Sequence, residues 1–368
     1  MKKERALIAL HIVLVLCVLA AFEGAYRVYR YVKHGYVEFI YFDTVGLFGN
    51  HDVYGYNLMP GFDSTKLPER VRFGEEGRGY HLDKVIRINK RGFRGEEFSV
   101  PKKEGSYRIL TMGDSITYGN GDNDKTWPAY LGKILDVEVI NGGVPNWESS
   151  HLLARFKNEG IYFKPDLVII HSGLSDVLEG TNRFIYKYGI KDCPDQVKNI
   201  KTRIFPAEEP NFITKYSLLY RYLRVRMFQG TKVEALTSIN MPERLAVWKE
   251  NISEIIDIAK ENDIRVILVD YPMLTRKGAS REERNFIINN SRIASGRHYD
   301  FLVKAKGLIS RGIHKMTKEK DIEVVEAEGF FNRYNANERI TLFLDEMHLS
   351  EKGDFILAGC ISRKIKEK

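Results

Sequence analysis

Three residue types that can together make a serine nucleophilic stand at two distant places in this sequence. Ser115 follows the apolar run of residues 108–112 within the motif Gly-Asp-Ser-Ile, and Asp345 and His348 lie near the other end of the chain. A serine hydroxyl becomes competent when an imidazole takes its proton and a carboxylate fixes that imidazole's orientation. The spacing of three residues puts Asp345 and His348 on the same side of a turn. These residues point to acyl chemistry at Ser115.

The composition is that of a globular protein, with 43% hydrophobic and 29% charged residues in a chain of 368. This length suits one large domain with additions better than two equal domains. A formal charge of +8 suits contact with anionic surfaces, but a merely soluble basic surface is the favoured interpretation. Basic residues are scattered, and no zinc spacing or aromatic-rich recognition motif is present. We therefore expect no nucleic-acid partner.

An apolar run near the start, residues 6–22, is broken only by His11. It lies at the short end of the ~17–25 residues that span a bilayer and exceeds the ~7–15 residues of a signal-peptide core. We therefore predict that residues 1–25 form an uncleaved membrane anchor, with a cleaved signal peptide as the alternative. Basic residues lie on both sides of the run, so the positive-inside rule gives little discrimination between the two orientations. An N-terminus inside is the default orientation. The rest of the chain is then extracytoplasmic, in the periplasm or at the cell surface.

The remaining chain divides into an N-terminal extension, residues 26–105, and a larger domain, residues 106–368. The extension lacks long apolar periodicity, which favours short strands and turns. In the larger domain, apolar runs alternate with helical stretches, as in a parallel sheet with crossover helices. The candidate strands are residues 107–112, 137–141, 166–171, 265–270 and 323–325, and a core-facing helix is predicted at residues 242–262.

Two insertions interrupt this alternation, around residues 178–262 and 274–299. The second is basic, and we expect it to be loop-like. Both are candidates for lids or substrate walls, because loops on a rigid sheet usually carry specificity.

From about residue 108 onward, the sequence resembles the SGNH, or GDSL, hydrolase superfamily of serine esterases and acyltransferase-like enzymes. Its first motif, GDSITYG, would make Ser115 the nucleophile, and its last, DEMHLSEKG, would make Asp345 and His348 the other members of a catalytic triad. The resemblance implies a three-layer α/β/α sandwich of flavodoxin-like type. We expect about five parallel strands, with the site at their C-terminal ends.

Two further motifs would hold the oxyanion together with the backbone N–H of Ser115. The motif NGGVPNW supplies Gly143, whose backbone N–H matches the family's donor, although an ordinary loop after a strand is the alternative. The family's Gly-x-Asn-Asp is replaced here by Gly-Leu-Ser-Asp, so Ser175 occupies the position of the asparagine amide. A serine hydroxyl can donate, yet it is shorter than that amide, and losing one oxyanion donor costs on the order of 10²–10³ in rate. Ser175 has three interpretations. It keeps part of the donor function, it acts through a bridging water, or it marks a weakened enzyme.

The resemblance implies a serine esterase that acts on O-acyl, above all O-acetyl, esters of cell-envelope glycans or on related small acyl esters. The membrane segment and the Gly-Phe-Arg-Gly turn at residues 92–95 also resemble a group of bacterial envelope-associated members. An O-acyltransferase would use the same triad. A non-catalytic glycan-binding or assembly protein with a degenerate site at Ser175 is the alternative from another class. We expect no cofactor and no metal, because triad chemistry needs neither and the sequence lacks clusters with metal-ligand spacing.

Overall fold

The computed structural model describes residues 2–34, 47–51, 53–73, 81–178, 217, 219–220, 223, 241–290 and 296–367. Most of the predicted insertion at residues 178–262 lies outside the described residues.

The N-terminal apolar run lies in a long helix, α1 (Lys2–His34). Within it, Leu7–Tyr29 forms a stretch of 23 residues that is long and apolar enough to cross a membrane. Such a stretch fits either a membrane anchor or a signal sequence. The side chains of Glu23 and Arg27, one helical turn apart, form an ion pair at 2.8 Å. The helix therefore continues past the predicted apolar run of residues 6–22.

The extension begins with an antiparallel hairpin formed by β1 (Phe48–His51) and β2 (Gly55–Leu58). Tyr56 and Phe93 of this extension are buried in the same hydrophobic core as the sheet that follows. The phenol of Tyr56 donates to the carbonyl of Pro145 at 2.8 Å. This part of the chain is thus built onto the larger domain.

A five-stranded parallel sheet forms the centre of that domain. Its strands stand side by side in the order β4-β3-β5-β6-β7, in which the direction of winding reverses between β3 and β5. This is the flavodoxin-like order, and it confirms the predicted fold class. All five predicted strands are present, with ends within two residues of the expected positions. They are β3 (Arg108–Gly113), β4 (Glu138–Gly143), β5 (Leu167–His171), β6 (Arg265–Val269) and β7 (Glu323–Val325).

Helices cover both faces of the sheet, which explains why every residue of β3 and β5 is buried. Among the described residues, the helices after α1 are α2 (Glu69–Arg72), α3 (Ser115–Tyr118), α4 (Trp127–Leu135), α5 (Ser149–Asn158), α6 (Leu174–Leu178), α7 (Met241–Glu261), α8 (Arg281–Asn290), α9 (Gly296–Glu319), α10 (Ala327–Phe331), α11 (Ala336–Ile340) and α12 (Glu351–Lys366). Helix α4 packs against α12, and α7 packs against α5 and α9. These two groups form the outer layers. Helix α7 confirms the helix predicted at residues 242–262, and its apolar face is buried as expected.

The expectation that residues 274–299 are loop-like is wrong, because helix α8 lies within this insertion. A capping box starts the helix: Ser280 Oγ accepts from the N–H of Glu283 at 3.2 Å, and Glu283 Oε2 accepts from the N–H of Ser280 at 2.7 Å. A serine followed three residues later by glutamate is a sequence signal for a helix start. The prediction gave more weight to the basic composition than to this signal.

Candidate active site

Ser115 is the first residue of α3, directly after the end of β3, and it is partly exposed. Its turn is tight: a Cβ added at Gly113 would lie 2.2 Å from Thr117 Oγ1 and 2.3 Å from the carbonyl oxygen of His171. Only glycine fits at that position. The carboxylate of Asp114 caps the short helix by accepting the N–H of Ile116 at 3.0 Å. The turn therefore presents the serine hydroxyl at the C-terminal edge of the sheet.

The predicted histidine and aspartate reach this hydroxyl from the loop before α12. His348 Nε2 lies 2.9 Å from Ser115 Oγ, and His348 Nδ1 lies 2.7 Å from Asp345 Oδ2. The other oxygen of Asp345 accepts the backbone N–H groups of Met347 at 2.9 Å and of His348 at 2.8 Å. The structure thus joins Ser115, His348 and Asp345 in one chain of hydrogen bonds.

Asp345 and His348 each stabilise the charged form of the other. Burial works against the imidazolium form of His348, but the neighbouring Asp345 carboxylate outweighs it and holds the pKa of His348 above its ordinary value of 6.5. Burial also works against the charge of Asp345, yet the charge of His348 and the N–H donors around the carboxylate hold the pKa of Asp345 below 3.8. An imidazole in this position is a stronger base than a free histidine.

The loop that carries the pair is held from both sides. The N–H of Leu344 donates to the carbonyl of His348 at 2.8 Å. From the insertion after β6, the N–H of Leu274 donates to the carbonyl of Glu346 at 3.1 Å. Ser350 then starts α12 by accepting the N–H of Gly353 at 3.2 Å. The hydrogen bonds of this loop therefore help to fix the position of the imidazole, in addition to the bond between the two side chains.

Arg94 of the Gly-Phe-Arg-Gly turn supports α3 from its other end. Its buried guanidinium donates to the carbonyl of Tyr118 at 3.0 Å and to the carbonyls of Gly119 and Gly121. It also donates to Asn123 Oδ1 at 3.2 Å. A cation at the C-terminus of a helix satisfies carbonyls that have no partner within the helix.

The backbone N–H of Gly143, a predicted oxyanion donor, is engaged by a side chain of β4. Its N–H donates to Asn141 Oδ1 at 3.0 Å. A Cβ added at Gly143 would lie 2.1 Å from the backbone nitrogen of Tyr118. Close packing of β4 against α3 therefore accounts for glycine at this position.

Ser175, the other predicted donor, is buried and lies against Asp114. Its hydroxyl donates to Asp114 Oδ2 at 3.3 Å. The hydroxyl of Tyr271 donates to the same oxygen at 3.1 Å. Ser175 thus belongs to a polar cluster around Asp114, in the turn that carries Ser115.

Two residues near the site were missed by the sequence reasoning. His81, in the extension, has a left-handed backbone with φ of 54°, and it lies within range of the charges of His348 and Asp345; burial, followed by the charge of His348, lowers the pKa of His81. Tyr271 is the second residue after β6, and its position beyond a strand end is the signal that could have identified it.

Among the described residues, one group of side chains has the spacing of a metal site. The ligand atoms of Asp270, His314 and Glu326 are all within 4.8 Å of one another. These residues are far apart in sequence, so no sequence motif marks them. Asp270 is buried and also accepts the N–H of Glu328 at 2.9 Å.

The fold and the place of Ser115 define a flavodoxin-like α/β protein with a polar site at the C-terminal ends of its strands. A model of the GDSL-like lipase/acylhydrolase family matches residues 111–354. An arylesterase of Vibrio mimicus is 25% identical over 142 residues, which cover 36% of this chain and 71% of the relative.

Solved structures of low sequence identity are also similar. A GDSL-like lipase of Bacteroides thetaiotaomicron has a TM-score of 0.42 at 19% identity, covering 73% of this chain and 92% of that one. A catalytic mutant of an acetylxylan esterase of Geobacillus stearothermophilus has a TM-score of 0.41 at 18% identity, covering 72% and 96%.

The family match spans more than half of the chain. The chain therefore belongs to the GDSL-like lipase/acylhydrolase family, which confirms the resemblance seen in its motifs. The protein is a hydrolase of ester bonds.

Proposed function

We propose that the protein is a serine esterase that removes O-acyl groups, O-acetyl above all, from cell-envelope glycans or related small acyl esters. The observation that carries the proposal is the continuous chain of hydrogen bonds from Ser115 through His348 to Asp345. In this chain, Ser115 is the nucleophile, His348 the general base and Asp345 the group that orients the imidazole.

In the first half of the reaction, Ser115 Oγ attacks the ester carbonyl while His348 Nε2 takes the hydroxyl proton. The tetrahedral intermediate collapses, His348 returns the proton to the leaving alcohol, and an acyl group remains on Ser115. Water then attacks this ester with His348 again as base, which releases the carboxylic acid and restores the serine. Asp345 stays ionised throughout and stabilises the imidazolium that forms twice.

The oxyanion would be held by the backbone N–H groups of Ser115 and Gly143, with the hydroxyl of Ser175 as a third donor. The N–H of Gly143 donates to Asn141 and the hydroxyl of Ser175 donates to Asp114. An oxyanion must therefore compete with these two acceptors. Each donor that moves to it would contribute about 10²-fold or more to the rate.

The envelope location rests on α1, whose Leu7–Tyr29 stretch could hold the domain at a membrane surface with Ser115 outside the cytoplasm. The partial exposure of Ser115 suits an ester carried on a larger molecule. The similarity to an arylesterase supports activity on esters. A sugar hydroxyl in place of water would make the same acyl-enzyme an O-acyltransferase, since the two reactions share their first half.

A second candidate is a non-catalytic glycan-binding or assembly protein. It is favoured by the engagement of Gly143 and Ser175 with protein acceptors, because a site without these donors would lose turnover. It predicts an intact fold in which Ser115 does not react covalently.

Labelling with a fluorophosphonate probe separates the two candidates without knowledge of the substrate. The full chain in detergent should label at Ser115, and Ser115→Ala and His348→Ala should abolish labelling. A panel of acetylated oligosaccharides, with and without unacetylated acceptors, then distinguishes hydrolysis from transfer. Folded protein that fails to label would overturn the esterase proposal in favour of binding alone.

A further inference from the structure

The residue before the nucleophile, Asp114, is 2% exposed, and its carboxylate accepts three donors. Oδ1 accepts the N–H of Ile116 at 3.0 Å. Oδ2 accepts the hydroxyl of Tyr271 at 3.1 Å and the hydroxyl of Ser175 at 3.3 Å. These contacts come from α3, from the second residue after β6 and from α6. The proposed triad uses none of them.

Tyr271 is held in place by its burial, by a ring contact and by a hydrogen bond to its hydroxyl oxygen. It is 2% exposed, and its ring lies 4.3 Å, centroid to centroid, from that of His171. Its hydroxyl oxygen accepts the N–H of Leu174 at 3.4 Å. A phenol has one hydrogen to donate, and with its oxygen engaged in this way that hydrogen points to Asp114. The bond to Asp114 is therefore built into the packing at the ends of β5 and β6.

We propose that Tyr271 is a positioning residue for the reaction at Ser115: its hydroxyl, together with that of Ser175, holds the Asp114 carboxyl group and favours its ionised form, which fixes the turn that carries Ser115 and places negative charge near His348. The inference rests on the proposed function and extends it. Tyr271 acts through Asp114 and touches neither the substrate nor the reacting atoms.

The electrostatic balance at Asp114 explains why two hydroxyl donors are needed. Burial raises the pKa of Asp114 above its ordinary value of 3.8, and the bonds from Ile116, Tyr271 and Ser175, together with the charge of His348, offset only part of that rise. In return, the negative charge of Asp114 adds to that of Asp345 in raising the pKa of His348. The other titratable groups whose charges act on this pair are Glu346, Asp176, His81 and Asp354.

Tyr271→Phe removes one hydroxyl and leaves the ring in place. Asp114 then takes up a proton more readily, so less negative charge remains near His348 and the pKa of His348 falls. We expect the acid limb of the pH profile, for fluorophosphonate labelling of Ser115 and for hydrolysis of 4-nitrophenyl acetate, to move to lower pH. The looser turn should lower kcat by about tenfold with KM little changed.

The matched control is Tyr54→Phe, which removes another buried phenol bonded to a carboxylate, Glu159 at 2.7 Å, in the extension. This variant should lose thermal stability and keep the wild-type pH profile and kcat. Ser175→Ala removes the other donor to Asp114 Oδ2, and its limb should move in the same direction as that of Tyr271→Phe. It carries the test if Tyr271→Phe fails to fold.

The outcomes separate this inference from the proposed function. If wild-type protein labels at Ser115 while Tyr271→Phe and Ser175→Ala keep its pH profile, Tyr271 is only a structural residue and the inference is overturned, although the esterase proposal stands. If folded wild-type protein does not label, the proposed function fails and this inference fails with it. A shifted limb in both variants, with Tyr54→Phe unshifted, supports it.

Discussion

The guanidinium of Arg94 donates to the backbone carbonyl of Tyr118 at 3.0 Å and lies 4.3 Å from the centroid of the same tyrosine's ring. One side chain of the N-terminal extension thus holds the end of the helix that begins at Ser115. The planar fork of arginine serves several carbonyls at once, which a lysine ammonium cannot reproduce. The extension therefore contributes to the shape of the candidate site.

Arg94→Lys should lower the free energy of unfolding by about 2–4 kcal/mol, because buried hydrogen bonds from a charged donor are lost and not all are replaced. Urea unfolding followed by circular dichroism measures this change. Arg87→Lys is the matched control: its side chain is 53% exposed and lies 3.6 Å from Asp63, so the same substitution should cost less than about 0.5 kcal/mol. Equal losses in the two variants would contradict the role given to Arg94.

The pH profile of ester hydrolysis follows from His348. A general base works as the neutral imidazole, and Asp345 holds the pKa of His348 above 6.5, so activity should rise with pH through a limb above that value. Asp345→Asn removes the negative charge, which should move the limb to lower pH and reduce kcat by about 10³–10⁴-fold. Steady-state kinetics from pH 5 to 10 on a small aryl ester would test both effects. A limb that stays in place in Asp345→Asn would argue against the pairing as the cause.

Gly143→Ala should destabilise the protein by about 1–3 kcal/mol through overpacking, since the new Cβ would meet the backbone nitrogen of Tyr118 at 2.1 Å. Differential scanning calorimetry gives the shift in Tm. The control is Gly359→Ala in α12, where a Cβ meets nothing within 4 Å and where alanine should stabilise the helix by about 0.5–1 kcal/mol. Unchanged stability in Gly143→Ala would mean that β4 and α3 are not packed as described.

Glu283→Gln should be strongly destabilising, because it breaks a buried ion pair. Glu283 and Arg339 are both fully buried, with Oε1 and Nε 3.4 Å apart, and Glu283 Oε2 lies 3.0 Å from Arg276. Removing one partner of such a pair costs about 3–5 kcal/mol. Chemical denaturation should show this loss in Glu283→Gln and little change in the exposed neighbour variant Glu282→Gln. A similar small effect in both would show that Arg339 finds another partner.

The sequence predicted the five strands closely because helices cover the sheet on both faces, and a doubly covered strand must be apolar along its length. It also predicted that Ser115, Asp345 and His348 belong together, since the triad chemistry requires all three. It did not predict the orientation of Ser175, because that depends on Asp114 and on Tyr271, which is 157 positions from Asp114 along the chain. His81 was missed for a similar reason: only the packing of the extension brings it near His348.

Ser115 and His348 meet at 2.9 Å across 233 positions of the sequence. The first strand of the sheet and the last loop before α12 must both be in place before this contact exists, and contacts of such long range form late in folding. A chain still being synthesised therefore carries an inert serine. Under the proposed function, esterase activity would begin only when folding is complete, on the side of the membrane where the domain finally resides.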